Sequence, residues 1–162
     1  MVKRVKESPN TYLKMDKSYG FIQDGCNILK TFDISCAHKL LKDSAFTEKC
    51  THVHGHNYKI TLELYSNDLI DGMVLDYGII KREFDDKIKN VFDHKLIKHV
   101  DDATCLDEST VYVDFNPTAE NLARYIMMVL YVHFKMYCCI HLKSVTVSET
   151  DSSYATVYSI DD

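Results

Sequence analysis

His54-Gly55-His56 sets two imidazoles at positions i and i+2, which in an extended chain point to the same side. His38 ends the run Phe32-Asp33-Ile34-Ser35-Cys36-Ala37-His38, in which Phe32, Ile34, Cys36 and His38 share one face at the period of a half-buried strand. An antiparallel neighbour brings His38 beside the pair. Three neutral imidazoles with a fourth position open to water or substrate form the donor set of a catalytic Zn2+ ion. Gly55 leaves room for backbone or ligand to come close. His52 is a competing ligand by spacing, but its place in a loop makes it the weaker choice. A lone histidine seldom holds a metal, so His99, His133 and His141, which lack partners in the pattern, are assigned to surface or packing.

Three further groups carry chemistry. Cys50 lies four residues before His54, and a thiol beside a metal or imidazolium ion loses its proton near neutral pH and serves as base or nucleophile. One cysteine among six is more often structural, so position alone leaves both readings open. Asp93-His94 is a carboxylate-oriented imidazole able to pass a proton, although a bare dipeptide is weak evidence. Glu149 interrupts the apolar face of Val145 and Val147; a buried carboxylate needs donors, which a ligand with adjacent N–H groups supplies. An edge-strand carboxylate in water fits the same pattern.

The elements that must position these groups follow from the remaining pattern. The chain has 162 residues with 46% hydrophobic and 27% charged side chains, a size and balance that suit one globular domain. A net charge of −5 with no basic face argues against nucleic-acid binding. The longest apolar run, Tyr125 to Phe134, is too short for a bilayer and contains His133. Six cysteines, no C-x-x-C pair and no secretory signal indicate reduced thiols and a cytoplasmic location. Cys138 and Cys139 fall in an apolar helical pattern and read as buried small hydrophobes. Residues 1–27 read as a leader, and residues 28–162 as a single domain. Strands are expected over Ile28–His38 and His54–Tyr65. A helix capped by Asp76 follows, with Ile80, Phe84, Ile88 and Val91 or Phe92 inward. Residues 93–115 read as irregular, apart from Val111–Phe115. Asn116-Pro117 is a helix start, with Asn as cap and a stripe running to about Tyr137. Two strands, around Val145–Glu149 and Ala155–Tyr158, close an order ββααββ: an α+β domain with an antiparallel sheet and two helices on one face.

Six motifs in this order resemble one family: F-x-x-x-C-A-H at Phe32–His38, C-x-x-x-H-G-H-N-Y at Cys50–Tyr58, G-M-V-x-D-Y at Gly72–Tyr77, Asp93-His94, N-P-T-A-E-N-L-A at Asn116–Ala123, and V-x-V-x-E-T-x-x-S-Y-A at Val145–Ala155. They are similar to the pterin synthases, which include 6-pyruvoyltetrahydropterin synthase and 6-carboxytetrahydropterin synthase (QueD). The resemblance covers residues 28–159 and implies the T-fold, or tunnelling fold. In that fold subunits join their sheets into a barrel and place active sites between them, which implies a homo-oligomer, a hexamer or tetramer. It makes His38, His54 and His56 the zinc ligands, Cys50 the catalytic base, and Asp93 and His94 its partners in proton transfer. Glu149 becomes the anchor of the pterin ring, while Thr118 and Glu120 match a helix-start segment that contributes to the substrate pocket. Ile97-Lys98 stands where relatives often carry Leu-Asn.

The implied substrate is a small molecule, 7,8-dihydroneopterin triphosphate. Only three residues separate Cys50 from His54, the compact spacing of the carboxy synthases, whereas animal pyruvoyl synthases carry a longer insert. The expectation is therefore a zinc-dependent lyase making 6-carboxytetrahydropterin for queuosine and other deazapurines. A pyruvoyl synthase of the tetrahydrobiopterin type is the alternative, and a non-catalytic zinc- or pterin-binding module a third.

Overall fold

The computed structural model describes residues 25–41, 49–102 and 108–160. Most of the expected leader lies outside the described residues, but Cys26 and Asn27 already belong to the first strand. That strand, β1 (Cys26–Lys39), pairs antiparallel with β2 (His54–Ser66), in register from Cys26 opposite Ser66 to His38 opposite His54. Alternation decides which face each residue takes. Phe32, Ile34, Cys36 and His38 are buried, as are Tyr58, Ile60, Leu62 and Leu64 across the ladder. At the roughly 1.5–3 kcal/mol that each fully buried large apolar side chain contributes, a one-residue slip between these strands would forfeit most of the core.

Asp76 caps the next helix as expected, its carboxylate accepting from the Gly78 N–H. The helix runs as α1 (Tyr77–Phe84), a π-turn over Asp85–Lys89, and α2 (Asn90–Phe92). Ile80, Phe84, Ile88 and Phe92 are buried and recur every four residues. An α-helix turns about 100° per residue, so that spacing drifts by roughly 40° at each step; the wider π-turn takes up the drift and keeps all four inward. Phe84 stacks on Phe32 with centroids 3.9 Å apart and planes 7° apart, fastening the helix to β1.

Two short strands lie in the segment expected to be irregular. β3 (Leu96–His99) pairs parallel with the end of β1, and β4 (Thr110–Val113) pairs parallel with β3. Four residues each are too few to show a period, and only Val111–Phe115 gave a signal. The long helix α3 (Ala119–Phe134) is capped by Thr118 rather than Asn116, with the Thr118 hydroxyl accepting from Asn121 N–H at 3.4 Å. Asn116 is spent elsewhere, its side-chain oxygen accepting from Leu41 N–H at 3.0 Å. The last strands are β5 (His141–Thr150) and β6 (Ser153–Tyr158), giving the sheet order β4-β3-β1-β2-β5-β6. Along β1-β2-β5-β6 each neighbouring pair is antiparallel, and the parallel pairs are confined to the β3–β4 edge.

The helices cover the sheet face that carries Leu62, Val145 and Val147, and α3 buries Leu122, Ala123, Ile126, Leu130 and Phe134 against it. Cys138 and Cys139 depart from expectation: α3 ends at Phe134, and both cysteines are exposed in the turn that follows. Among the described residues no helix is long and apolar enough to cross a membrane.

Candidate metal centre and catalytic cavity

The β1–β2 register makes His38 and His54 direct cross-strand partners and sets His56 opposite Cys36. Gly55 permits this closeness, since a Cβ there would lie 3.3 Å from the Cys36 carbonyl oxygen. Ligand atoms of His38, His54 and His56 all lie within 4.8 Å of one another. His52 is not part of that group.

Backbone carbonyls set the tautomers of two of the rings. His38 Nδ1 lies 2.7 Å from the Pro117 carbonyl oxygen, and His54 Nδ1 lies 2.8 Å from that of His52. A carbonyl can only accept, so each Nδ1 carries the hydrogen and each Nε2 presents a lone pair. Those two Nε2 atoms face each other at 2.9 Å. The buried Nε2 of His56 has no hydrogen-bond partner among the described residues. Burial holds the His38 imidazole below its ordinary pKa, and His54 and His56 push the same way against the Pro117 carbonyl. Lone pairs converging without donors call for a cation, and neutral imidazoles hydrogen-bonded through Nδ1 to carbonyls are the usual ligands of Zn2+. The residues present fit the ion.

Tyr58 packs edge-on against two of these rings, 6.0 Å from His38 and 5.4 Å from His56 between centroids. It is 1% exposed, and its hydroxyl lacks a hydrogen-bond partner among the described residues. Burial pushes its pKa up, so the group is a neutral phenol that braces the imidazole cluster.

His38 and His54 line a cavity of about 580 Å3. Cys50, Thr118, Glu120 and Glu149 line it too, so six of the nine expected site residues meet there. Cys50 sits in a 3-10 turn over Lys49–Thr51 and is tied to the end of β1 by its carbonyl, which accepts from Leu40 N–H at 3.1 Å. Glu149 is half-buried near the end of β5, beside an irregularity in the β5–β6 ladder between Ser148 and Thr150. The Thr118 hydroxyl, followed by a backbone N–H, holds the Glu120 carboxyl below its usual range. By contrast Cys36 is a structural thiol, pushed up to about 12 by burial and then by Asp93.

Asp93 and His94 do not join this cavity within the protomer. His94 lines a separate one of about 540 Å3 with Ser35, Cys36, Gly55, Asn57 and the third imidazole of the cluster, His56. Both residues clamp onto Ser35: its N–H donates to the Asp93 carboxylate at 2.9 Å, and its carbonyl accepts from His94 N–H at 2.7 Å. Asp93 Oδ1 lies 3.2 Å from His94 Nδ1. His94 takes a left-handed backbone (φ 60°), and its side chain is 81% exposed. A left-handed non-glycine residue held in place by its surroundings is a feature that gathers at functional sites.

Sequence reasoning missed the carbonyls of Pro117 and His52, because a backbone acceptor leaves no mark in residue type. It also missed the cavity wall of Ser152, Ser153 and Tyr154, which forms part of the quoted E-T-x-x-S-Y-A run.

Residues 27–159 match the 6-pyruvoyl tetrahydropterin synthase family. A 6-carboxy-5,6,7,8-tetrahydropterin synthase from Rickettsia conorii is 31% identical over 105 residues, 60% of this chain and 74% of that protein. One of the same name from Rickettsia felis is 37% identical over 86 residues, 48% of this chain and 62% of the relative. The crystal structure of a 6-pyruvoyl tetrahydropterin synthase from Plasmodium vivax superposes with a TM-score of 0.66 at 22% identity, covering 83% of this chain and 98% of that one. That likeness shows the T-fold.

Proposed function

The chain belongs to the 6-pyruvoyl tetrahydropterin synthase family, and we propose that it is a zinc-dependent 6-carboxy-5,6,7,8-tetrahydropterin synthase. On this reading it converts 7,8-dihydroneopterin triphosphate and water into 6-carboxytetrahydropterin, acetaldehyde and triphosphate, in the cytoplasm and on the way to queuosine and related deazapurines. The observation that carries the reading is the single cavity shared by Cys50, Glu149 and two of three imidazoles whose ligand atoms converge within 4.8 Å. The names of the relatives favour the carboxy product.

His38, His54 and His56 would hold the ion through Nε2. Zinc, when bound, acidifies the hydroxyls of the substrate side chain and stabilises negative charge as a C–H proton leaves. Cys50, as thiolate, takes that proton at Sγ. Glu149 accepts from the amino and ring N–H groups of the pterin, which fixes the ring and keeps the reacting carbons beside Cys50. Thr118 and Glu120 form the wall on the α3 side.

Proton return falls to His94, oriented by the Asp93 carboxylate. Because His94 lines a different cavity in its own protomer, it reaches the substrate from a second copy of the chain. This arrangement explains why a proton-carrying imidazole is exposed and why a homo-oligomer is required.

The test is product analysis. Purified protein with zinc and 7,8-dihydroneopterin triphosphate should yield acetaldehyde and 6-carboxytetrahydropterin by mass spectrometry. A pyruvoyl pterin without acetaldehyde would keep the site and overturn the product assignment. Pterin binding without turnover would mark a binding module.

A further inference from the structure

Cys138 and Cys139 occupy the centre of the turn between α3 and β5, which Ile140 N–H closes onto the Tyr137 carbonyl at 3.2 Å. Neighbouring side chains normally diverge, about 100° apart on a helix and to opposite faces of a strand. Here Cys139 adopts a left-handed backbone (φ 65°), at the turn position that ordinarily selects glycine or asparagine. That rotation swings both thiols to one side. Their sulfurs touch at 3.3 Å, both residues are exposed, and neither is in a disulfide. Nothing in the proposed catalysis uses them.

We propose that Cys138 and Cys139 are a reversible redox site, a vicinal dithiol closed into a disulfide by exchange with a small-molecule disulfide such as oxidised glutathione. The Cys139 thiol, whose pKa is raised first by its hydrogen bond to Cys138 and further by Asp68, keeps its proton and leaves Cys138 as the entering group. The Cys138 thiolate attacks one glutathione sulfur and breaks the glutathione S–S bond, whose electron pair leaves on the other glutathione. Cys139, on losing its proton, then attacks Cys138 Sγ and expels the second glutathione thiolate. The two thiol protons end on the two glutathiones; the protein is oxidised by two electrons and the oxidant reduced by two.

Geometry makes this bond a switch and not a staple. A trans peptide holds adjacent Cα atoms about 3.8 Å apart, short of the roughly 4.4–6.8 Å of ordinary disulfides. The strained bond is therefore readily reduced, as labile regulatory disulfides are.

Lys135 and Lys143 flank the pair, so trypsin releases both cysteines in one peptide, Met136–Lys143. The full chain, reduced and then equilibrated with oxidised glutathione, is alkylated under denaturing conditions, digested and mapped by mass spectrometry. The expected peptide is lighter than its reduced form by the mass of two hydrogens, carries no alkyl group and reverts with dithiothreitol. A Cys139→Ser variant, unable to resolve the intermediate, should accumulate glutathione on Cys138. Two alkylated thiols, a stable glutathione adduct on the wild-type peptide, or Cys138 crosslinked to Cys26 would each overturn the proposal.

Discussion

His38 and His54 are cross-strand partners whose Nε2 atoms stand 2.9 Å apart, each with its Nδ1 committed to a carbonyl. Two lone pairs at that distance repel unless a cation lies between them. His54→Ala or His56→Ala should therefore reduce zinc, measured by elemental analysis, from about one ion per chain to background. His52→Ala should leave it unchanged. A ligand at a hundredfold its Kd adds about 2.7 kcal/mol, so chelation should lower the wild-type unfolding midpoint by roughly 5–10 °C. Full zinc content in His56→Ala would rule out this ligand set.

Cys50 shares the cavity with His38 and His54 but lies outside the imidazole cluster. Cys50→Ala should lower kcat by at least about a hundredfold, the scale of a lost general base, while zinc content stays at the wild-type level. Joint loss of zinc and turnover would make Cys50 a structural residue.

The contrast between these groups shows what a sequence can disclose. The convergence of His38, His54 and His56 was legible because a strand has period two, so residues i and i+2 share a face. The Asp76 cap and the Ile80–Phe92 stripe were legible for the same reason: local pattern and local structure coincide. The cap of α3 reads as Asn116 in sequence because Asn caps at least as well as Thr; it falls to Thr118 because Asn116 is held by the tertiary contact with Leu41. β3 escaped notice because its pairing with β1 lies in neither short segment alone. The vicinal cysteines read as helical in sequence because the α3 pattern has no glycine stop, and their exposure depends on where Phe134 seats in the core.

Glu149, the penultimate residue of β5, lines the cavity that His38, His54 and Cys50 share. Glu149→Gln preserves shape but replaces one acceptor oxygen with a donor that opposes the pterin N–H groups. Hydrogen bonds to a charged group are worth about 1.5–3 kcal/mol, so KM should rise about 10- to 100-fold. Zinc content should not change. An unaltered KM would place the ring anchor elsewhere.

Asp93 binds the Ser35 N–H and faces His94 and Lys89. Burial alone would raise its pKa, but Ser35, His94 and Lys89 outweigh burial and hold the carboxyl below its ordinary value. A depressed folded-state value stabilises the protein fully above the unfolded pKa near ~3.9 and ceases to do so as pH falls through the folded one. Wild type should thus exceed Asp93→Asn in urea stability at pH 7 by up to about 1 kcal/mol, with the gap closing below about pH 4. A gap that persists at pH 2 would assign the effect to packing.

His94 and Cys50 line different cavities of one protomer, and this separation has a kinetic consequence. If each site takes Cys50 from one copy and His94 from another, neither Cys50→Ala nor His94→Ala can turn over alone. Mixed after unfolding and refolded together in equal amounts, the two inactive chains pair at random across each interface. A competent site needs an intact Cys50 on one side and an intact His94 on the other, which leaves about a quarter of sites whole in a symmetric assembly. Turnover should reappear at about a quarter of the wild-type rate per site. Persistent inactivity of refolded, zinc-loaded mixtures would place both groups in a single-chain site and require a rearrangement around Ser35.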